Sequence, residues 1–154
     1  MELKKHTFLI VLLVALVVLL LCAAYISSMS ALVSPSSRIE LTIASTTVLA
    51  EVVSTEVARE QGLSGRSSLA EGNAMLFVFD SADLWGIWMK DMQFSIDILW
   101  ADAEGTIVSI EENVSPSTYP TAFRPQSPSL YVVELPAGFV ATHSISLGSK
   151  IVVQ

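Results

Sequence analysis

The first feature of this chain that restricts its structure is an unbroken apolar run near the N-terminus. The run extends from Phe8 to Ile26, and no charged residue occurs between Lys5 and Arg38. About 19 residues of α-helix rise about 28 Å, close to the roughly 30 Å hydrocarbon core of a bilayer. Because lipid cannot satisfy exposed backbone groups, such a segment has to be helical. The sequence therefore predicts a single transmembrane helix at residues 7–26.

The charges beside this run predict its orientation. Lys4 and Lys5 precede it, and no basic residue lies close to its far end. Because lysine-rich loops stay in the cytoplasm, residues 1–6 are predicted to be cytoplasmic and the C-terminal domain to lie outside, on the cytoplasmic membrane. A cleaved signal peptide is the alternative, with small residues before Tyr25 and Ala31 as cleavage sites. Its apolar region is ordinarily about 7–15 residues long, so the longer run favours a retained anchor.

The remaining chain divides into a stalk and a domain. Residues 27–37 are rich in serine and contain Pro35, which predicts a flexible stalk. Residues 38–154 form the predicted globular β domain, with 14 of the 15 acidic but six of the eight basic residues, a net charge of −8. This charge argues against nucleic acid as a partner, because phosphates need a basic surface. One cysteine, two histidines and no cofactor fingerprint predict neither a metal site nor a cofactor.

Apolar residues in the domain recur at the spacing of short strands. Strands are predicted at 39–43, 47–53, 75–79, 85–90, 94–100, 106–114, 130–135 and 150–153. Short helices are predicted after Ser54 or Thr55, either of which can cap one, and at 137–143. Four prolines between Ser115 and Ser129 predict a long irregular loop. The expected fold is mostly β (α+β): a compact barrel-like antiparallel sheet with one or two short helices, preceded by a single transmembrane helix.

Three charged residues of the predicted strands are the candidates for catalysis: Lys90, Asp97 and Glu134. Glu134 shares a strand face with apolar residues, and a short turn after Lys90 would bring this lysine close to Asp97. Lys90 is therefore predicted to pair with Asp97 as first choice and with Glu134 as second. A lysine and two acids in an apolar cleft suit general acid–base chemistry. The structural alternative is an ion pair that fixes strand register.

The candidate ligand-binding residues are Trp88, Lys90, Arg66 and Arg124. An arginine can hold an anionic ligand, but Arg66 can equally brace its loop, just as Arg59 can pair with Glu56. The three tryptophans could form a platform for a sugar, or two of them could belong to the core. The proline-rich loop around Arg124 could recognise a ligand or pack over one mouth of the barrel.

Several sequence pieces occur in an order and spacing that resemble one known family. They are Arg59–Leu63, Met75–Phe79, Trp88–Lys90 followed by Ile96–Leu99, and Tyr131–Gly138. Together they resemble the domain-of-unknown-function 192 family over nearly all of residues 39–153. The chain departs from the family pattern at Asp91, where asparagine is usual, and at Ser95, where proline is usual. The resemblance implies a small, mostly β domain, often exported or anchored in prokaryotes, with no established activity.

These observations favour a membrane-tethered extracytoplasmic domain that binds or interacts without catalysis. The lipid bilayer, contacted through residues 7–26, and an unknown ligand or envelope protein are its expected partners. No nucleophile motif supports an enzyme. The alternative function is an envelope-associated hydrolase that acts on a polysaccharide or cell-wall component and uses Lys90, Asp97 and Glu134.

Overall fold

The computed structural model describes residues 13–24 and 37–153, which fall into two compact units, Met1–Pro35 and Ser36–Gln154. Residues 13–24 are helical. Among the residues described, no helix has both the length and the apolar character needed to cross a bilayer. The cytoplasmic N-terminus predicted at 1–6, the other residues of the predicted span and nearly all of the predicted stalk lie outside the described residues. The transmembrane helix and the stalk therefore stay predictions.

The second unit consists mainly of short strands. In chain order they are β1 (Arg38–Ile43), β2 (Thr46–Val53), β3 (Asn73–Asp83), β4 (Ile87–Trp88), β5 (Ile96–Ala101), β6 (Ile107–Val114), β7 (Ala122–Phe123), β8 (Ser129–Pro136) and β9 (Ile151–Val153). Helix α1 (Glu56–Gln61) follows β2, and helix α2 (Phe139–His143) follows β8. A 3₁₀ turn (Pro116–Thr118) lies in the proline-rich loop. As predicted, Thr55 caps α1, because its side chain accepts a hydrogen bond from the Ala58 amide.

Seven strands form one curled sheet in the order β6-β5-β8-β3-β2-β1-β9, and β4 pairs with β7 in a separate ribbon. The two ends of the large sheet meet at a bridge between Thr106 and Lys150. Next to it the Ile151 amide donates a 2.8 Å hydrogen bond to the Gly105 carbonyl. A Cβ atom at Gly105 would lie 2.5 Å from the Ile151 carbonyl oxygen, so this approach requires glycine. The curled, half-barrel sheet with few short helices confirms the mostly β prediction.

One strand pair departs from the predicted antiparallel sheet. Strands β2 and β3 are parallel, with Glu51 opposite Met75. Between them the chain passes through α1 and a loop, which return it to the end of the sheet at which β2 begins. A connection of this length is what parallel neighbours require. The alternating apolar pattern contains no information on strand direction, so the prediction missed this pair.

The predicted strand at 85–90 is also wrong in length and partner. Only Ile87–Trp88 is extended, and it pairs with Ala122–Phe123 instead of with β5. The chain turns directly afterwards: Lys90 and Asp91 form the turn, and Asp91 has a positive φ of 55°. This turn takes Lys90 out of the sheet, so Lys90 is not placed opposite β5.

The large sheet is covered on both faces, which explains why β5 is buried along its whole length. One face holds a core that includes Leu41, Leu99 and Leu135. The other face holds a second core, built on residues such as Met75 and Ile98. Leu63, which follows α1, and Ile87 of β4 belong to this second core. The α1 region and the small ribbon therefore cover the face on which the candidate site lies.

Candidate functional site

Glu134 is a carboxylic acid within an apolar part of the sheet. It lies on β8 with Met75 and Ile98 as its cross-strand neighbours, and both are fully buried. The residue is 5% exposed, and its Oε2 atom has no hydrogen-bond partner. Burial raises the pKa of Glu134 to about 8, and the nearby Arg66 charge opposes this rise only in part. Glu134 is therefore mostly protonated at neutral pH.

The arginine whose charge acts on this acid is already paired. Arg66, in the loop after α1, binds Glu51 of β2 through two hydrogen bonds of 2.8 and 3.0 Å. This ion pair raises the pKa of Arg66. Glu51 and Glu134 both lie opposite Met75, on either side of it, and thus share one face of the sheet. Arg66 therefore braces its loop against β2, which is the structural alternative to anion binding.

Glu134 lies at the inner end of a depression that we call the Glu134 groove. Its inner part is a cavity of about 50 Å³ bounded by Glu134, Phe77, Met92, Gly86–Trp88 and residues 59–64. Its outer part, of about 310 Å³, is bounded by Val57, Glu60, Gln61, Ser64, Gly65, Lys90 and Asp91. The two parts share Glu60, Gln61 and Ser64. The end of α1 and the turn after β4 thus line both adjoining parts of the groove.

Lys90 does not make the ion pair predicted for it. Its Nζ atom lies 5.8 Å from the centre of the Trp88 ring, and the Ser64 hydroxyl donates a 2.8 Å hydrogen bond to its carbonyl. Within residues 37–153, no aspartate or glutamate carboxylate lies close enough to Lys90 for an ion pair. The prediction fails because Lys90 belongs to a turn and not to a strand opposite Asp97.

Asp97 is also separated from Glu134. On the paired strands Asp97 lies opposite Leu135 and Ile98 lies opposite Glu134. Since neighbouring residues of a strand point to opposite faces, the two carboxyl groups lie on opposite sides of the sheet. Asp97 accepts hydrogen bonds from the backbone amides of Asn113, Gly138 and Val140 at 2.8 to 3.2 Å. It is a buried structural carboxylate, and the predicted Lys90–Asp97–Glu134 group does not form.

The two other arginines of interest make contacts with the backbone. Arg124 donates a 2.7 Å hydrogen bond to the Leu84 carbonyl and packs against Gly86. Arg59 donates to the carbonyls of Ser54 and Val78 and not to Glu56, so its predicted pairing is wrong. Both side chains hold surface segments together.

The structural alternative for the tryptophans, two of them in the core, is met in full by Trp100, and Trp85 is half-buried against the core. Trp100 is fully buried, and its indole N–H donates to the Trp85 carbonyl at 2.9 Å. Trp85 stacks on Phe79 with ring centres 4.1 Å apart. Trp88 is 44% exposed beside the groove, and Tyr119 of the proline-rich loop meets it edge-on at 6.2 Å. Trp88 is thus the most exposed of the three tryptophans, and it lines the inner part of the groove.

Sequence reasoning identified Glu134 and Trp88 but missed the wall formed by Gln61 and Ser64. The signal was present, because Gly62 predicts the end of α1 and a reversal of the chain there. What the pattern did not reveal is that this reversal lies over Glu134. In the parts of the chain that the structure describes, no group of three or more histidine, cysteine or acidic side chains could hold a metal ion.

Comparisons with known proteins agree on the fold. The domain-of-unknown-function 192 family, described as "Uncharacterized ACR", matches residues 39–153. A crystal structure from Sinorhizobium meliloti 1021, whose description proposes a transcription regulator, is 27% identical, with a TM-score of 0.74 over 78% of this chain and 96% of that one.

A protein of unknown function from Novosphingobium aromaticivorans DSM 12444 is 24% identical, with a TM-score of 0.73 over 78% of this chain and 88% of that one, and supports the fold alone. No curated protein matches this sequence. Because the family matches residues 39–153, most of its length, the chain belongs to the domain-of-unknown-function 192 family.

Proposed function

We propose that the domain is a binding module that takes a small polar molecule in the Glu134 groove. The supporting observation is that Glu134, which lines the inner part of that groove, has a buried Oε2 atom without a hydrogen-bond partner. A buried polar group without a partner costs about 1–3 kcal/mol of stability. An unpartnered polar group of this kind beside a surface groove is typical of a ligand-binding residue, because the ligand supplies the missing hydrogen bond.

Binding without catalysis is favoured over the hydrolase alternative. Hydrolysis of a glycoside uses two carboxyl groups on either side of the same bond. Asp97, the second acid of the hydrolase alternative, lies on the opposite face of the sheet and accepts hydrogen bonds from three backbone amides. The predicted acid pair therefore supplies no support for an enzyme.

A thermal-shift measurement on the full chain in detergent tests the binding proposal. The probes are a neutral disaccharide (cellobiose), a diamine (putrescine) and a dicarboxylate (succinate). At a tenfold excess over Kd, one of them should stabilise the domain by about 1.4 kcal/mol, which raises the Tm by roughly 5 °C. Trp88→Ala should abolish the shift, whereas Trp88→Phe should retain it.

The matched control is Val152→Ala, a change at an exposed residue of β9 that does not line the groove. It should leave the shift unchanged. If no probe raises the Tm, or if the rise persists in Trp88→Ala, the groove is not a binding site of the proposed kind.

We also propose that residues 7–26 anchor the chain in the cytoplasmic membrane, with residues 1–6 in the cytoplasm and the domain outside. The support is the apolar run and the position of Lys4 and Lys5 before it. Protease added to intact cells should cleave the domain, while a cytoplasmic marker stays intact. A protected domain contradicts the orientation, and a mature chain that begins near Tyr25 or Ala31 contradicts the anchor.

A further inference from the structure

We infer that the ligand of the Glu134 groove is an uncharged ring that carries hydroxyl groups, as in a saccharide, with Trp88 against the ring and Glu134 hydrogen-bonded to a hydroxyl. This inference rests on the proposed binding function and specifies its ligand. It follows from the groove's charge balance, from the shape of its aromatic wall and from the chemistry of its inner acid.

The charges around the groove balance, which argues against a strongly charged ligand. Glu60 and Asp91 contribute two carboxylates, and Arg59 and Lys90 contribute two cations. An anion would meet the two acids, and a cation would meet the Lys90 ammonium, which already lies over the Trp88 ring. A neutral polar molecule encounters neither repulsion.

Trp88 gives the groove a flat apolar wall. Trp88 is 44% exposed, whereas Trp100 is buried and Trp85 is half-buried and stacked on Phe79. A sugar ring presents C–H groups on its faces and hydroxyl groups at its rim, so it can cover an indole and still offer polar atoms. Trp88 and Glu134 line the inner part of the groove, of about 50 Å³, and the adjoining outer part adds about 310 Å³. Together the two parts reach the lower end of the roughly 300–1,000 Å³ typical of ligand sites.

Glu134 complements a hydroxyl group better than it complements a charge. A protonated carboxyl both donates and accepts a hydrogen bond, as a hydroxyl does. Its Oε2 atom is buried and has no hydrogen-bond partner, so no protein group competes with a ligand for it. An ammonium ligand would instead require that Glu134 first lose its proton, which burial opposes.

Ionisation of Glu134 therefore separates the two ligand classes. The charged groups around it are Arg59 and Glu60 on α1, Arg66 in the following loop and Glu51 on β2. Above pH 8 Glu134 becomes an anion and can no longer donate to a hydroxyl. Saccharide affinity should then fall, whereas the affinity for a diamine should rise.

Isothermal titration calorimetry tests the inference with the full chain in a detergent that has no sugar headgroup. The probes are cellobiose, N,N′-diacetylchitobiose and putrescine, each at pH 6.5 and pH 9. At least one disaccharide should bind more tightly at pH 6.5. Trp88→Ala and Glu134→Leu should each lower the affinity for this disaccharide about tenfold. Trp88→Phe and Glu134→Gln should each leave the affinity within about threefold of the wild-type value.

The outcomes distinguish the ligand class from the binding function. If putrescine binds and depends on Trp88 and Glu134 while neither disaccharide does, the saccharide inference is wrong and the binding module remains. If a disaccharide binds equally well to Trp88→Ala and to Glu134→Leu, the groove is not its site and the inference is also wrong. If no probe binds, both proposals fail. Val152→Ala, with unchanged affinity, is the control for folding.

Discussion

Glu134→Gln should remove a large part of the dependence of folding stability on pH between about 4.5 and 8. In the unfolded chain this carboxyl ionises near pH 4.5, whereas burial raises its pKa to about 8 in the folded domain. Between these values the folded state holds one more proton than the unfolded state. The free energy of unfolding therefore decreases as pH rises, by about 1.4 kcal/mol per pH unit.

The total effect of this one group is about 4–5 kcal/mol, a large fraction of the 5–15 kcal/mol typical of a whole domain. Its contribution is fully present below pH 4.5 and is lost once pH has risen through about 8. Glutamine has nearly the same shape and does not titrate, so the variant should be more stable than the wild type at pH 8.5. Urea unfolding at pH 5, 6.5 and 8.5, followed by tryptophan fluorescence, measures both curves.

Glu112→Gln is the matched control, because Glu112 is an exposed acid on β6. It should reproduce the wild-type slope. Equal slopes for Glu134→Gln and the wild type would show that Glu134 ionises alike in the folded and unfolded states. Glu134 would then be ionised at neutral pH and could not donate a hydrogen bond to a ligand.

The sequence predicted most of the strands because each produces a local apolar pattern. The alternation at 39–43 and the apolar run at 75–79 correspond to β1 and to the buried part of β3. The two-residue pairing of β4 with β7 has no such signal, since strands this short show no period. Partner and direction depend on contacts between residues far apart in the chain, which local pattern does not encode.

The candidate site shows the same limit at the level of single residues. Both Asp97 and Glu134 were identified as acids in apolar strands, and both are buried. Their separation depends on register, because a shift of one residue would place the two side chains on the same face of the sheet. The sequence identified the two unusual acids. Only the pairing of β5 with β8 shows that Glu134 lies beside the groove and Asp97 on the opposite face of the sheet.

Asp97→Ala should be among the most destabilising single substitutions in the domain. The carboxylate accepts from the Gly138 and Val140 amides at the start of α2, where the Gly138 N-cap has no side chain to do so. It also accepts from Asn113, whose φ of 53° marks an irregular position of β6. Without the carboxylate these amides have no hydrogen-bond partner in a largely buried site. We expect the free energy of unfolding to fall by about 3–5 kcal/mol.

Asp97→Asn separates the charge of this side chain from its geometry. The amide oxygen can replace Oδ1, which accepts from Asn113 and Gly138, but an NH₂ group would face the Val140 amide in place of Oδ2. We expect a loss of about 1–3 kcal/mol in urea unfolding, smaller than for alanine. Asp80→Ala, at an exposed site on β3, should change stability by less than about 0.5 kcal/mol. If Asp97→Ala is as mild as Asp80→Ala, Asp97 does not hold α2 and β6 in place, and its burial requires another explanation.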